Sequence, residues 1–255
     1  MSEFRDEIVE FCNDFLKVDD FKDYCRNGLQ VEGKTKIKKI VIGVSLSEKF
    51  IKSAISQNAD MLMVHHGLFS NQFGKPPRIT GILRNRLKLL IENDINLCGY
   101  HLPLDANPKI GNNISLLEIL GLKKIKAIST VSYGEIGFIG KTKEPISFED
   151  FVEKVNNELQ TDSYFIKAGS DFVEKVGIIS GGASNNYADA ITSGADTYLC
   201  GEIQENVVRE VEEAGINFIN AGHYNSEKLG IKNLGKLVEK KFDVSVDYID
   251  IPNVV

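Results

Sequence analysis

The sequence predicts an α/β fold of two α/β units, with mainly parallel or mixed sheets flanked by helices. Three observations carry this. Short β-rich runs alternate with helical patterns along most of the chain, which is the signature of βαβ units. The 255 residues are enough for one large domain or two small ones with a real core. The texture changes near residues 121–133, which places a first unit at 1–130 and a second at 131–255.

The elements follow in order. "MSEFRDEIVEFCNDFLKV" reads as an acid-rich amphipathic helix. "KKIVIGV" (38–44) is a strand, and "SEKFIKSAISQN" (47–58) a helix with Phe50, Ile51, Ala54 and Ile55 on one face. "DMLMVHH" (60–66) is a second strand. "TGILRNRLKLLIEND" (80–94) is a helix with Thr80 as its N-cap and Leu83, Leu87, Leu90 and Ile91 facing inward. "INLCGYH" (95–101) is a third strand and "NNISLLEIL" (112–120) another helix. In the second half, "GEIGFIGK" (134–141) is a strand. "SFEDFVEKVNNEL" (147–159) is a helix opened by Ser147, with Asp150 three residues on. Strands are expected at 175–181, 195–201, 216–220 and 244–250, and helices at 185–193, 204–214 and 225–240. The "GHYNSE" motif (222–227) and the C-terminal segment are expected to return to the first unit.

Composition narrows the function. Hydrophobic content is 42%, charged content 26% and net charge −6. This describes an ordinary globular chain and disfavours generic nucleic-acid binding, a local basic patch aside. Apolar runs such as Ile40–Val44 and Met61–Val64 are far too short for a membrane span. The N-terminus has no signal-peptide pattern, so a cytoplasmic protein is expected. Cys12, Cys25, Cys98 and Cys200 form no C-x-x-C pair and read as reduced thiols. Cys98 lies three residues before His101 but within an apolar run, which favours core packing over ligation.

The stretch "MVHHGLFS" (63–70) puts two imidazoles side by side where a strand ends. Neighbours on a strand point to opposite faces, so the pair suits two ions, or one ion if the backbone bends. The chain has only four histidines, His65, His66, His101 and His223, and each lies at or just past the end of a predicted strand, where parallel sheets place their sites. Asp105 follows His101 by four residues, and Glu227 follows His223 by four. A lone histidine at a strand end is more often a hydrogen-bonded core residue. Four of them with two carboxylates favour a metal site. Imidazole and carboxylate without thiolate suit zinc, iron, manganese, nickel or cobalt. Five or six such ligands are too many for one catalytic zinc and about right for two ions bridged by a carboxylate, so His65 and His66 are expected to point apart, each serving a different ion.

"MVHHGLF", "GYHLPLDANPKIGNN" and "AGHYNSEKLGI", together with "NGLQVEG" (27–33) and "SGGAS" (180–184), resemble the Nif-three-like family, whose members are often called GTP cyclohydrolase I type 2 homologues. The likeness spans the whole chain. It implies a dinuclear centre of two divalent transition-metal ions per chain. It also implies a toroidal homohexamer of two interlinked α/β domains. Carried onto this sequence, the ligands are His65, His66, Asp105, His223 and Glu227, with Glu227 as bridge and a catalytic role. His101 belongs to the motif as a group behind the ligands or a proton shuttle. Many relatives carry histidines just after the strand matching 195–201. Here the stretch reads "GEIQENVV", which leaves Glu202 as a polar group of unassigned use.

Substrate features are sparser. Lys75, Arg78, Arg84, Arg86 and Lys88 lie between two metal motifs in sequence. Arg78, Arg84 and Arg86 are candidates for a nucleotide or phosphorylated small molecule, set against a plain solvated helix face. "SGGASN" joins a strand to a helix, so its N–H groups suit an anion or simply make a tight turn. Asn27–Gly28 reads as a turn. Two functions follow. The first is a dinuclear-metal hydrolase, with GTP cyclohydrolase-type ring opening of a purine nucleotide implied by the resemblance. The second is a non-enzymatic metal-binding hexameric scaffold or regulatory protein, with DNA as a conceivable partner.

Overall fold

Residues 3–70 and 77–253 are described in the computed structural model; Lys75 lies outside them. In chain order the elements are β1 (Glu3–Phe4), α1 (Arg5–Leu16), β2 (Gly28–Val31), β3 (Lys36–Ile37), β4 (Lys39–Ser45), α2 (Glu48–Ser56), β5 (Met61–His66), α3 (Gly81–Glu92), β6 (Asn96–Gly99), α4 (Leu102–Ala106), α5 (Asn112–Ile119), β7 (Lys123–Thr130), β8 (Gly134–Ser147), α6 (Phe148–Leu159), β9 (Tyr164–Ile166), β10 (Phe172–Ile178), α7 (Tyr187–Thr192), β11 (Thr197–Cys200), α8 (Glu205–Ala214), β12 (Asn217–Asn220), α9 (His223–Ser226), α10 (Lys228–Lys241) and β13 (Ser245–Tyr248). The chain divides into two units. One takes the described residues up to Leu104 together with Gly230–Pro252, and the other takes Asp105–Leu229. Residue 130, where the sequence changes texture, ends β7 within the second unit.

In the first unit the apolar runs at 39–45, 61–66 and 96–99 form adjacent parallel strands. The sheet order is β13-β4-β5-β6-β2, with β2 antiparallel to β6. Strands buried on both faces read as continuous apolar runs, which is why β4 and β5 stand out in sequence. Helix α2 starts at Ser47, whose hydroxyl accepts from the Phe50 N–H, and it buries Phe50, Ile51 and Ala54. These join Val41, Leu62, Val64, Leu83, Leu90 and Leu97 in one core cluster. Two expectations for α3 change. Thr80 occupies the N-cap position without a side-chain cap bond, and Ile91 is 64% exposed rather than inward. Ile91 follows the buried Leu90 by one residue, about 100° further round the helix and off the apolar stripe.

The second unit is a mixed sheet of order β7-β8-β10-β11-β12-β9, in which β10, β11 and β12 are parallel. Strands β7, β8 and β9 run antiparallel to their neighbours. Ser147 caps α6 by accepting from the Asp150 N–H, as the sequence predicts. Phe148, Phe151, Val155 and Leu159 of α6 pack with Val176, Ile178, Leu199 and Ile219 of the sheet.

The first unit thus carries four adjacent parallel strands (β13, β4, β5 and β6) and the second three (β10, β11 and β12), and in such sheets side chains past the C-terminal strand ends are exposed to chemistry. The free thiols Cys12, Cys98 and Cys200 are buried, and Cys25 is half-buried. Burial pushes the Cys98 thiol well above its ordinary range, as befits a core residue. Among the described residues no helix is long and apolar enough to cross a membrane.

Candidate metal-binding site

In the first unit, β5 ends in His65 and His66, and His101 lies two residues beyond β6. The three rings cluster, with centroids 4.6 Å apart for His65–His66, 5.1 Å for His65–His101 and 5.6 Å for His66–His101. Each offers a ring nitrogen within 4.8 Å of the others. The expectation that His65 and His66 point apart is corrected: their ring centroids are 4.6 Å apart, and both rings gather with His101 at the strand end, where the regular alternation of the strand stops.

Each ring is held through the same atom. Nδ1 of His65 donates to the Tyr100 carbonyl at 2.8 Å. A carbonyl only accepts, so Nδ1 carries the proton and Nε2 is the donor atom for a metal. Nδ1 of His66 lies 2.9 Å from the Ser45 hydroxyl, the residue paired with it across β4 and β5. Nδ1 of His101 lies 3.0 and 3.1 Å from the two oxygens of Asp23. His101 Nε2 is 3.4 Å from the Tyr24 hydroxyl.

Asp23, which the sequence reading missed, is the hydrogen-bonding partner of His101. Its carboxylate accepts from the backbone N–H groups of Cys25 and Leu102 and from the Asn27 amide as well as from His101. Burial opposes its charge, but the His101 interaction and the other hydrogen bonds outweigh that and hold its pKa at about 2. It sits in irregular chain between α1 and β2, where no periodicity marks a position. The available signal was Asn27 four residues on, in a motif already noted. That motif positions the histidines. Asn27 Oδ1 accepts from the His101 backbone N–H at 2.7 Å, and Gln30 Oε1 accepts from the Leu68 N–H just past the histidine pair at 2.6 Å. Gly28 opens β2 with φ +85°, the left-handed bend expected of a turn glycine.

In the second unit the donors are Asp105, His223 and Glu227. Asp105 is buried, with one oxygen accepting from Asn112 Nδ2 at 2.8 Å and from the Ser180 hydroxyl at 3.1 Å. Asn113 in turn accepts from the Ser180 N–H at 2.7 Å and donates to the Ile136 carbonyl at 2.7 Å. The "IGNN" end of the "HLPLDANPKIGNN" motif therefore aims the carboxylate. Glu227 is 3% exposed and lies between the other two. Its Oε2 is 3.1 Å from His223 Nε2, and it offers an oxygen within 4.8 Å of one on Asp105. Gly181 makes room for it. A Cβ there would collide with Glu227 Oε1, and the residue has φ +66°.

His223 bridges two carboxylates, with Nε2 toward Glu227 and Nδ1 2.5 Å from Glu202 Oε1. Burial works against a protonated ring, yet Glu227 first and Glu202 after it raise the pKa to about 9. The surroundings favour positive charge at this spot. Imidazole nitrogens with carboxylate oxygens fit a borderline divalent transition metal, and in the first unit the Cys25 sulfur also lies within 4.8 Å of ligand atoms on Asp23 and His101.

The substrate candidates are less convergent. Arg78 and Arg84 are exposed and Arg86 is half-buried. Residues two apart on a helix project in different directions, so Arg84 and Arg86 do not form one fork. In "SGGASN" the N–H groups of Ser180, Gly181 and Ala183 are taken by Asn113, Ser226 and the Gly181 carbonyl. This loop is a site-building turn rather than an anion cradle.

Comparison with known proteins agrees in extent with this reading. The family model Duf34/NIF3 (NGG1p interacting factor 3) matches residues 4–253. A Haemophilus influenzae protein described as a GTP cyclohydrolase 1 type 2 homolog is 40% identical over 248 residues, covering 97% of this chain and 98% of its own. Among solved structures, protein ybgI, described as of unknown function, is 34% identical with a TM-score of 0.94, over 99% of this chain and 100% of that one. TTHA1606 from Thermus thermophilus is 32% identical with a TM-score of 0.88, over 99% and 100%.

Proposed function

Since the chain belongs to the Duf34/NIF3 family, we propose that it is a dinuclear-metal-dependent hydrolase acting on a purine nucleotide, with two divalent transition-metal ions per chain. The ligands in this reading are His65, His66, Asp105, His223 and Glu227, with Glu227 shared between the ions. One observation carries the metal assignment: all four histidines of the chain engage a protein partner through Nδ1, which presents Nε2. Metal-binding histidines are typically fixed in this way, by a carbonyl, hydroxyl or carboxylate on the other nitrogen. Core histidines have no need of a common atom.

When bound, two such ions supply Lewis acidity and ease the deprotonation of water at neutral pH. The chain's own residues supply orientation and proton handling. Asp23 fixes the His101 ring, and His101 Nε2, near the Tyr24 hydroxyl, is the atom suited to take or give a proton. The names of the curated relatives, GTP cyclohydrolase 1 type 2 homologs, support a purine nucleotide as substrate and opening of its imidazole ring as the reaction.

The test is a metal-replete activity screen of GTP, other nucleotides and generic phosphoesters, with His65→Ala as control. Metal-dependent turnover of a nucleotide, lost in the variant, is the expected result. Absence of turnover with every substrate, alongside full metal loading, would replace the hydrolase with a metal-binding scaffold. A homohexamer is proposed alongside, on resemblance to the family. Light scattering that finds a monomer at working concentrations would remove it.

A further inference from the structure

Glu202 has no place in the ligand set, yet its carboxylate is the group that grips His223 from behind. We infer that Glu202 is a positioning residue for metal binding, which holds Nδ1 of His223 and so turns Nε2 toward Glu227. The inference rests on the metal reading above.

The local structure places Glu202 for this task. It lies two residues past β11, where the parallel strand has ended and the backbone can turn over the site. The turn is tied at three points. The Gly201 N–H donates to the Gly181 carbonyl at 2.8 Å, the Ala221 N–H to the Cys200 carbonyl at 2.8 Å, and the Cys200 thiol to the Glu202 carbonyl at 3.0 Å. The side chain leaves this fixed backbone with Oε1 2.5 Å from His223 Nδ1, and Oε2 passes 3.3 Å from the point where a Cβ on Gly182 would stand.

A carboxylate oxygen only accepts, so the contact selects the form of the imidazole with its proton on Nδ1. An imidazole free of such a partner rotates about χ2 and exchanges between tautomers, which dilutes the competent state. The first unit offers an internal parallel. Asp23 grips Nδ1 of His101 with the same chemistry, while His65 and His66 use the neutral Tyr100 carbonyl and Ser45 hydroxyl. The Glu202 side chain is 38% exposed, so it acts from the solvent side and removing it opens no core cavity.

The experiment compares wild type, Glu202→Ala and Glu202→Gln as metal-stripped full-length proteins. Each is titrated with Co2+ against a competing chelator and followed by visible absorbance. Glu202→Ala should bind Co2+ about 10- to 100-fold more weakly, the usual effect of removing an outer partner of a ligand histidine. Glu202→Gln keeps an accepting carbonyl oxygen and should recover most of that loss. In Zn2+-loaded wild type the His223 Nδ1–H should give a protected proton resonance, present in Glu202→Gln and lost to exchange in Glu202→Ala. Equal Co2+ affinity in wild type and Glu202→Ala overturns the positioning role. So does a Gln variant as weak as the Ala variant. A wild type that binds no Co2+ overturns the metal reading itself, and the two failures are thereby distinct.

Discussion

Asp23 holds the imidazole of His101 with both carboxylate oxygens, at 3.0 and 3.1 Å from Nδ1. The same carboxylate accepts the N–H of Leu102, the first residue of the helix that follows His101. One acidic side chain therefore fixes the ring and the backbone that carries it. Asn27 completes the clamp by donating to Asp23 and accepting from the His101 N–H.

Replacing Asp23 with Ala should destabilise the metal-free protein substantially. It leaves two backbone N–H groups, an amide and an imidazole N–H without their acceptor, in a place where the Asp23 side chain is 2% exposed. A loss of about 3 kcal/mol is expected for breaking a buried, hydrogen-bonded charge network. Urea denaturation in the presence of a chelator measures it, and a loss below about 1 kcal/mol would show that water replaces the carboxylate without cost.

Asp60 gives the pH dependence. Burial opposes its ionisation, but Lys34 Nζ at 2.7 Å and the N–H groups of Lys38 and Lys39 at 2.9 and 3.1 Å outweigh it and hold its pKa below the usual value. A carboxyl whose folded pKa is depressed stabilises the fold above its unfolded pKa, and that contribution is lost as pH falls through the folded value. Asp60→Asn should therefore cost about 1–2 kcal/mol at pH 7. The gap to wild type should shrink on acidification from about pH 4 downward. Denaturation curves at pH 7, 5 and 3 decide the matter, and a gap that stays constant would remove Asp60 from the acid response.

The parallel strands were legible in the sequence because buried β-rich runs such as 39–45 and 61–66 need no partner to be recognised. The short strands β1, β3 and β9 were not, since two or three residues carry no period. Strand β7 was hidden by its three lysines, which occupy a sheet edge where charge is tolerated. At the site, the histidines and their following carboxylates stood out by residue type and spacing. Asp23 did not, and Glu202 was noticed only as a polar group without a use. They act through a histidine distant in sequence, 78 residues away for Asp23 and 21 for Glu202, and only the folded chain brings each pair together.

Gly181→Ala should disturb the second unit's donor set without replacing a donor. The new methyl would collide with Glu227 Oε1 on a backbone at φ +66°, so both the carboxylate and the turn must shift. The backbone strain alone costs about 1–2 kcal/mol. Melting of metal-free protein should fall accordingly, and metal capacity should fall with it. A variant with wild-type metal content would mean that Glu227 moves aside and still binds.

The proposed bridging role of Glu227 makes the sharpest contrast. It sits within reach of both Asp105 and His223 and is almost fully buried, so a single carboxylate can serve two cations. A neutral amide is a poor bridge, and Glu227→Gln should weaken both ions. His66→Ala removes one terminal imidazole and should strip mainly one. Because metal binding adds to folding free energy, the Gln variant should lose more metal-dependent stability than the Ala variant. A chelator should then lower its melting temperature less than it lowers that of wild type. His101→Ala serves as the third arm and should keep most of its metal while slowing any hydrolysis. Elemental analysis and melting with and without chelator test all three together. A Glu227→Gln protein that holds two ions as tightly as wild type would end the bridge, and a His101→Ala protein emptied of metal would make that imidazole a ligand.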